Sequence, residues 1–351
     1  MFYLRCVVAN RYQAQSVLPE IGIIGQNKLA NSHVLCIGGG GLAASVLPYL
    51  VAAGVGSITI VDYDTVSLTN LNRQILFNED DIGKLKAQVL QSRLIKQNSA
   101  ITINSICESF GLDNGAKLVA EHDLVIDCCD DYLTKVAINY HCSINKTPWV
   151  FASVLAWDGQ VSLLTMSDEF QPCYKCWQEK APQGNQSCTV SGVMGVAVNL
   201  VGSFQASLAI QALLGEFEQA NKLFVFDLWT LEMSKFDLAH RKNCAFHKNS
   251  LHQNIVELNL DECSDTNNYW LIDIRSLEEW EQGYLPNAEH IPIGVLMTML
   301  DELKHDKRKI VLYCNQQTLS QLAVDNLCQT GIDAYVLRGG YLNNISTKVK
   351  E

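Results

Sequence analysis

The chain has 351 residues, 48% of them hydrophobic, which is enough apolar material for about two domains with substantial cores. A net charge of −11, from 26 basic and 37 acidic residues, argues against a general nucleic-acid binder, and no run of about 18 apolar residues offers a membrane span. Thirteen cysteines, with no convincing signal peptide in Met1–Asn10, point to a cytoplasmic chain in which metal binding, catalysis and core packing share the thiols.

In Arg11–Leu29, Pro19, Gly22 and Gly25 are expected to break any long helix. The first predicted strand, Val34–Ile37, then runs into Gly38-Gly39-Gly40-Gly41 and a helical pattern from Leu42 to Ala53, closed by Gly54. Ser57–Asp62 reads as a second strand ending in an acid. Strand, glycine loop, helix, strand and acid make a mononucleotide-binding βαβ unit, with Ala43 in place of the third glycine of the fingerprint. Glycines let backbone approach phosphate, and the helix N-terminus offers unpaired N–H groups and the positive end of its dipole. Asp62 is placed to accept hydrogen bonds from ribose hydroxyls. Gly38, Gly40, Gly41, Asp62 and Asp64 are the candidate contacts here.

The polar stretch Asp64–Asn78 is expected as a loop on the carboxyl side of the sheet, where open α/β folds bind ligands. It carries Thr69-Asn70-Leu71-Asn72-Arg73-Gln74. A surface helix over Gly83–Asn98 brings Lys84 and Lys86 at its start. After a strand at Ile101–Ile106, the strand Leu124–Asp127 leads into Cys128-Cys129-Asp130-Asp131, and a helix runs from Thr134 to Asn145. Cationic Arg73 and Lys86 can neutralise a triphosphate, and a carboxylate such as Asp130 can hold Mg²⁺ against it. Taken singly, Arg73 and Lys86 read equally as solvated surface charges, and Asp130 as a helix N-cap. Cys36, Cys128, Cys129 and Cys142 fall in core patterns.

Strands at Trp149–Ala152 and Gln160–Met166, a cysteine-bearing irregular segment Phe170–Ser191, a long apolar helix Gly195–Leu214 and a hairpin of Phe224–Trp229 with Met233–Leu238 complete the first unit. Cys173-x-x-Cys176 and Cys244-x-x-His247 can each clamp one edge of a tetrahedral ion, and three thiolates with one imidazole suit Zn²⁺. The composition shifts at 248–254, read as a linker. A second, small α/β unit over 255–351 follows, with strands Trp270–Ile274, Lys309–Tyr313 and Ala334–Leu337 and helices Ser276–Gln282 and Ser320–Thr330.

RYQAQSVLPEIGIIGQNKL, VLCIGGGGLAA, ITIVDYDTVSLTNLNRQ, GKLKAQ, DCCDD, CYKC and CTVSGVMG together resemble the MoeB/ThiF family, bacterial relatives of ubiquitin-activating enzymes, across Arg11–His247. The resemblance implies a Rossmann-like mixed sheet over 1–247 that binds ATP at Gly41, Asp62, Thr69 to Gln74, Lys86 and Asp130-Asp131. It implies adenylation of the C-terminal glycine of a ubiquitin-like sulfur carrier of molybdopterin or thiamine type, ending in Gly-Gly. Asp130 would hold Mg²⁺, Arg73 and Lys86 would stabilise the phosphates, and Cys188 would be a thiol that links to the carrier. It also implies a homodimer in which an arginine reaches the partner's ATP, but Ala14 stands in that arginine's place. The family uses a second Cys-x-x-Cys where this chain has His247, and Asn where it has Asp131.

The second unit resembles a rhodanese in Leu271-Ile272-Asp273-Ile274-Arg275, in Gly283 to Ala288, in Val311 to Cys314 and in Leu337 to Gly340. Cys314 would carry a persulfide, supplied by a donor such as a cysteine desulfurase. The usual loop is Cys-x-x-Gly-x-Arg-Ser, whereas here Gln317 and Leu319 replace the glycine and the arginine. Four readings stand at this point: a carrier-adenylating enzyme with a sulfur-supplying tail, an adenylating enzyme for another peptide, an NAD-dependent oxidoreductase, and a carrier-binding protein whose catalysis has lapsed.

Overall fold

The computed structural model describes residues 11–167, 171–178, 192–241, 244, 255–275, 277–296, 299–315 and 317–346. Two short helices, α1 (Gln13–Ser16) and α2 (Gly22–Ala30), lead into β1 (His33–Ile37), α3 (Gly41–Ala53) and β2 (Ser57–Val61). There follow α4 (Lys86–Gln97), β3 (Thr102–Ile106), α5 (Leu112–Ala120), β4 (Leu124–Asp127), α6 (Tyr132–Asn145), β5 (Trp149–Leu155) and β6 (Asp158–Leu164). The unit closes with α7 (Tyr174–Trp177), the long α8 (Gly195–Leu214) and the hairpin β7 (Lys222–Asp227) and β8 (Glu232–Asp237).

These strands form one sheet in the order β3-β2-β1-β4-β5-β6-β7-β8. It is parallel from β3 to β5 and antiparallel from β5 to β8, which is the mixed sheet expected from the sequence. Successive residues of a strand point to opposite faces. Val34, Cys36, Ile58, Ile60, Ile126 and Val150 accordingly join one core with α3, α4 and α8, while Leu35, Ile37, Val125, Trp149 and Phe151 join a second core with α5 and α6. Both faces are covered, so β1 and β4 read as continuous apolar runs. Order β2-β1-β4 reverses the direction of winding at β1, and the crevice beyond the carboxyl ends of β1 and β4 is where such a sheet binds its ligand.

Three features stand apart from the sequence reading. Gly25 lies inside α2 instead of breaking it: it is buried, and a Cβ there would come within 2.9 Å of Leu214 Cδ2 at the end of α8. Helix α5 forms where the sequence gave no expectation. Finally, α8 is by length and composition apolar enough to cross a membrane, but half of it is buried against α3 and the sheet. Gln205, in its middle, is fully buried and donates from Nε2 to the carbonyls of Asp127 and Val150 at 2.8 and 3.0 Å.

The second sheet, in the order β11-β10-β12-β13-β9, is wholly parallel. Its strands are β9 (Glu257–Leu258), β10 (Tyr269–Asp273), β11 (Glu289–His290), β12 (Lys309–Tyr313) and β13 (Ala334–Leu337). Among its helices are α9 (Leu277–Glu281), α10 (Ile293–Leu296), α11 (Leu300–His305), α12 (Thr318–Gln329) and α13 (Gly340–Ser346). The residues read as a linker, 248–254, lie outside the described residues.

Candidate functional site

The glycine loop leaves β1 with Gly38 at φ +92, and a Cβ there would sit 2.7 Å from the backbone of Cys128. Only glycine lets the loop after β1 touch the loop after β4 this closely. The contact sets the glycine loop beside the Cys128–Asp131 segment. Gly39 N–H donates to Asp62 Oδ2 at 2.5 Å, and Asp64 N–H to Asp62 Oδ1 at 2.7 Å. A carboxylate has about four acceptor positions, so roughly two remain for ribose hydroxyls. Burial leaves the Asp62 carboxyl above its ordinary range, although the Gly39 N–H and the Lys86 charge act the other way.

Lys86 is not a solvated surface charge. It is buried at the first position of α4, and its ammonium lies 2.8 Å from Asp64 Oδ2. A cation at a helix N-terminus opposes the dipole, so the helix itself gains nothing from it. Its value is as a fixed positive charge beside the Asp62 carboxylate. Arg73 is half-buried, and its guanidinium donates to Thr69 O and Asn72 Oδ1, each at 3.0 Å. Ser67 and Asn70 cap the short 3₁₀ turn Leu68–Asn70 that holds this loop, and Ser67 Oγ lies 2.9 Å from Thr69 Oγ1. Leu71 packs against the first core. Gln74 is buried, and its Oε1 has no hydrogen-bond partner among the described residues. Its amide nitrogen faces Gly40, 3.6 Å from where a Cβ would be. An orphaned buried acceptor beside a phosphate-type loop fits a nucleotide that brings its own donors.

The two aspartates divide the roles proposed for them. The helix N-cap is Asp131, whose Oδ1 accepts the Thr134 N–H at 2.7 Å. Asp130, read alternatively as the cap, is exposed and makes no hydrogen bond or ion pair among the described residues. One carboxylate is thus committed to α6, and its neighbour is left for a cation. Sequence reasoning missed Lys135. It is buried one turn into α6, with its ammonium 2.8 Å from Asp127 Oδ2 and donating to the carbonyls of Cys129 and Ala152 at 2.9 and 2.8 Å. It fixes the strand-end loop that presents Asp130.

Tetrahedral zinc with Zn–S bonds of about 2.3 Å needs its sulfurs about 3.8 Å apart. Cys173 Sγ lies 3.8 Å from Cys176 Sγ and 3.7 Å from Cys244 Sγ, and all three sulfurs fall within 4.8 Å of one another. Hydrogen bonds from the thiols of Cys173 and Cys244 push the Cys176 thiol below its ordinary range. His247, the fourth ligand expected from the sequence, lies outside the described residues, as does Cys188.

In the second unit, Cys314 is buried at the end of β12, where the Ser320 N–H of α12 points at its sulfur at 3.4 Å and Ser320 Oγ lies 3.6 Å away. Gln317, standing where a rhodanese has glycine, adopts φ +91, and its Nε2 is buried without a partner among the described residues. A non-glycine residue held there costs of order 1–3 kcal/mol. Gln317→Gly is therefore expected to raise the calorimetric midpoint of this unit, and Gln317→Val to lower it. Equal midpoints for the two variants would refute strain at this position. Arg275 is spent on structure: it is buried against Asp273 and reaches Asn315 Oδ1 at 3.2 Å. It does not supply the anion-binding charge that Leu319 lacks.

The sequence profile of the ThiF family matches residues 12–246, and that of the rhodanese-like domain matches residues 255–344. A sulfur carrier protein adenylyltransferase of Thermus thermophilus is 36% identical over 240 residues, covering 67% of this chain and 88% of that protein. The adenylyltransferase and sulfurtransferase uba4 of Ogataea parapolymorpha is 29% identical over 359 residues, covering 92% of each. Among solved structures, Escherichia coli MccB with ATP is similar at a TM-score of 0.58 and 22% identity, over 69% of this chain and 75% of that one, a likeness of fold.

Proposed function

The chain belongs to the ThiF family and carries a rhodanese-like domain, and from that premise we propose that it adenylates the C-terminal glycine of a ubiquitin-like sulfur carrier and supplies sulfur through Cys314. The observation that carries this reading is a convergence at the carboxyl ends of β1, β2 and β4: Gly39 tied to Asp62, Lys86 tied to Asp64, and Asp130 uncommitted. In the reaction, the carrier's carboxylate oxygen attacks the α-phosphorus of ATP, the bond to the β-phosphate oxygen breaks, and pyrophosphate leaves. Lys86 and Arg73 hold the phosphates while that charge moves. Mg²⁺, a hard cation with oxygen ligands, fits the free carboxylate of Asp130 and would neutralise phosphate charge there.

The nucleotide occupies the parallel half of the sheet, which leaves the antiparallel half for the carrier. Supporting this, all six residues of β8 are exposed, as are Trp229 and Leu231 at the turn before it. A homodimer is supported by exposed Ile23, Ile24, Val196 and Leu200 on α2 and α8, apolar faces that a single chain leaves in water. Arg11, the nearest substitute for the arginine missing at Ala14, is engaged within its own chain through Gln97 O at 3.0 Å. We place the protein in the cytoplasm, because every cysteine among the described residues is a free thiol.

The test is ATP–pyrophosphate exchange dependent on a carrier ending in Gly-Gly, with the AMP-linked tail identified by mass. Exchange driven only by some other peptide would support the second adenylating reading, and no AMP-linked product with any partner would overturn both. We also propose a structural zinc at Cys173, Cys176, Cys244 and His247. Elemental analysis should find stoichiometric zinc, and chelation should lower the unfolding midpoint by roughly 8–16 °C, which corresponds to about 4 kcal/mol of linked binding energy. No zinc, with melting unaltered by chelator, would reject the site.

A further inference from the structure

The first half of α6 is buried on every side. Lys135, Val136, Ala137, Ile138 and Asn139 are each no more than 4% exposed. Successive helical residues turn by about 100°, so five in a row look in all directions around the axis. A helix lying on a sheet normally keeps one face in water. Here the sheet and α5 cover part of α6. The Cys173 segment covers another part, where the Tyr174 N–H donates to Asn139 Oδ1 at 2.8 Å. The second domain adds α12, whose Val324 and Leu327 are fully buried in the same apolar cluster as Val119 of α5 and Val136 and Ala137 of α6.

A polar contact crosses this boundary at the leading turn of α6. Asn326 of α12 is buried, and its Nδ2 donates at 3.4 Å to the hydroxyl of Tyr132, the first residue of α6. Lys175 Nζ, from the Cys173 segment, donates to the same hydroxyl at 2.5 Å. Tyr132 follows directly on Asp130 and Asp131. The same turn is tied to the end of β4 by the Asp131 cap and by Lys135, which reaches Cys129 O and Asp127 Oδ2. Movement of this end of α6 therefore moves Asp130.

We propose that the second domain braces the nucleotide site: α12 docks on α6, and Asn326 and Tyr132 are positioning residues that hold the Asp130 turn for adenylation. This rests on the adenylation reading and adds to it a role for the second domain in which Cys314 takes no part. The glycine loop, Asp62 and Lys86 belong to β1, β2 and α4, not to α6. Loosening α6 thus leaves the nucleotide's main contacts in place and displaces the carboxylate left for the cation. The effect belongs on turnover.

Full-length Asn326→Arg separates these roles. Its guanidinium would meet the Lys175 ammonium at the Tyr132 hydroxyl, and two like charges in a buried contact repel. A misplacement of about 1 Å can cost about 10²-fold in rate. The kcat of carrier-dependent ATP–pyrophosphate exchange should therefore fall at least tenfold, with the KM for ATP within twofold. Amide hydrogen exchange should quicken over residues 132–139 while β10 and β12 stay protected. Faster amide exchange in α6 with kcat within twofold of the parent would overturn the brace, and so would amide exchange unchanged from the parent. Should β10 and β12 lose protection as well, Tyr132→Phe and Asn326→Leu decide, since neither adds a charge. Each is then expected to lower kcat several-fold, with the double variant no slower than Tyr132→Phe alone. Additive losses, or a lowered unfolding midpoint with kcat intact, would overturn the positioning role. A parental protein that forms no acyl-adenylate would instead overturn the adenylation reading, and amide exchange over α6 would still decide whether α12 braces it.

Discussion

Replacing Lys135 with methionine is expected to lower the midpoint of thermal unfolding by roughly 6–20 °C. The side chain is buried and three acceptors depend on it: Asp127 Oδ2, Cys129 O and Ala152 O. Asp127 is itself fully buried, so methionine leaves a carboxylate with no countercharge in a medium that cannot solvate it. Breaking one half of a buried pair costs about 3–5 kcal/mol, because the survivor retains its desolvation penalty and loses its compensation. Burial already pushes the Asp127 carboxyl up against the pull of Lys135, so without the lysine it is expected to take up a proton. Lys135→Arg should retain most of the stability, and Asp127→Leu combined with Lys135→Met should recover part of the loss by removing both charges. A single Lys135→Met variant melting within about 1 °C of the parent would show that the pair contributes nothing net.

That pair also marks where sequence reasoning stops. The βαβ unit was legible because its signals are local: an apolar strand, consecutive glycines, a 3.6-residue pattern and a strand-end acid each report on neighbours in the chain. Helix α8 and the hairpin β7–β8 were legible for the same reason. Helix α5 was not, because Asn114 and Gly115 are poor helix formers and its helicity comes from packing against α6. Lys135 carries no local mark of burial. A lysine in the first turns of a helix reads as surface until the strand end that neutralises it is brought alongside. Asp131 shows the converse: Asp before a helix is a recognised cap, yet two adjacent aspartates made the choice ambiguous, and only the Thr134 N–H decides it. In the second domain, Val324 and Leu327 fall in the helix expected over Ser320–Thr330, and nothing in their spacing says that its core continues into α5 and α6.

Asp130→Ala is expected to reduce carrier-dependent ATP–pyrophosphate exchange by roughly 10³-fold while leaving the fold intact. Asp130 is exposed and unpartnered among the described residues, so its truncation should change stability by no more than about 0.5 kcal/mol. The loss should fall on turnover more than on nucleotide affinity, because the contacts offered to the ribose and phosphates by Gly39, Asp62 and Lys86 do not pass through Asp130. Asp131→Asn provides the contrast. Asparagine caps a helix about as well as aspartate, so α6 should persist and exchange should stay within tenfold. If the two variants behaved alike, the division of labour between cap and cation ligand would be wrong. If Asp130→Ala stayed within twofold of the parent, phosphate charge would have to be neutralised by Lys86 and Arg73 alone. A Lys86→Ala variant would then be left with almost no exchange, since the buried ammonium beside Asp64 would be the principal countercharge in the cleft.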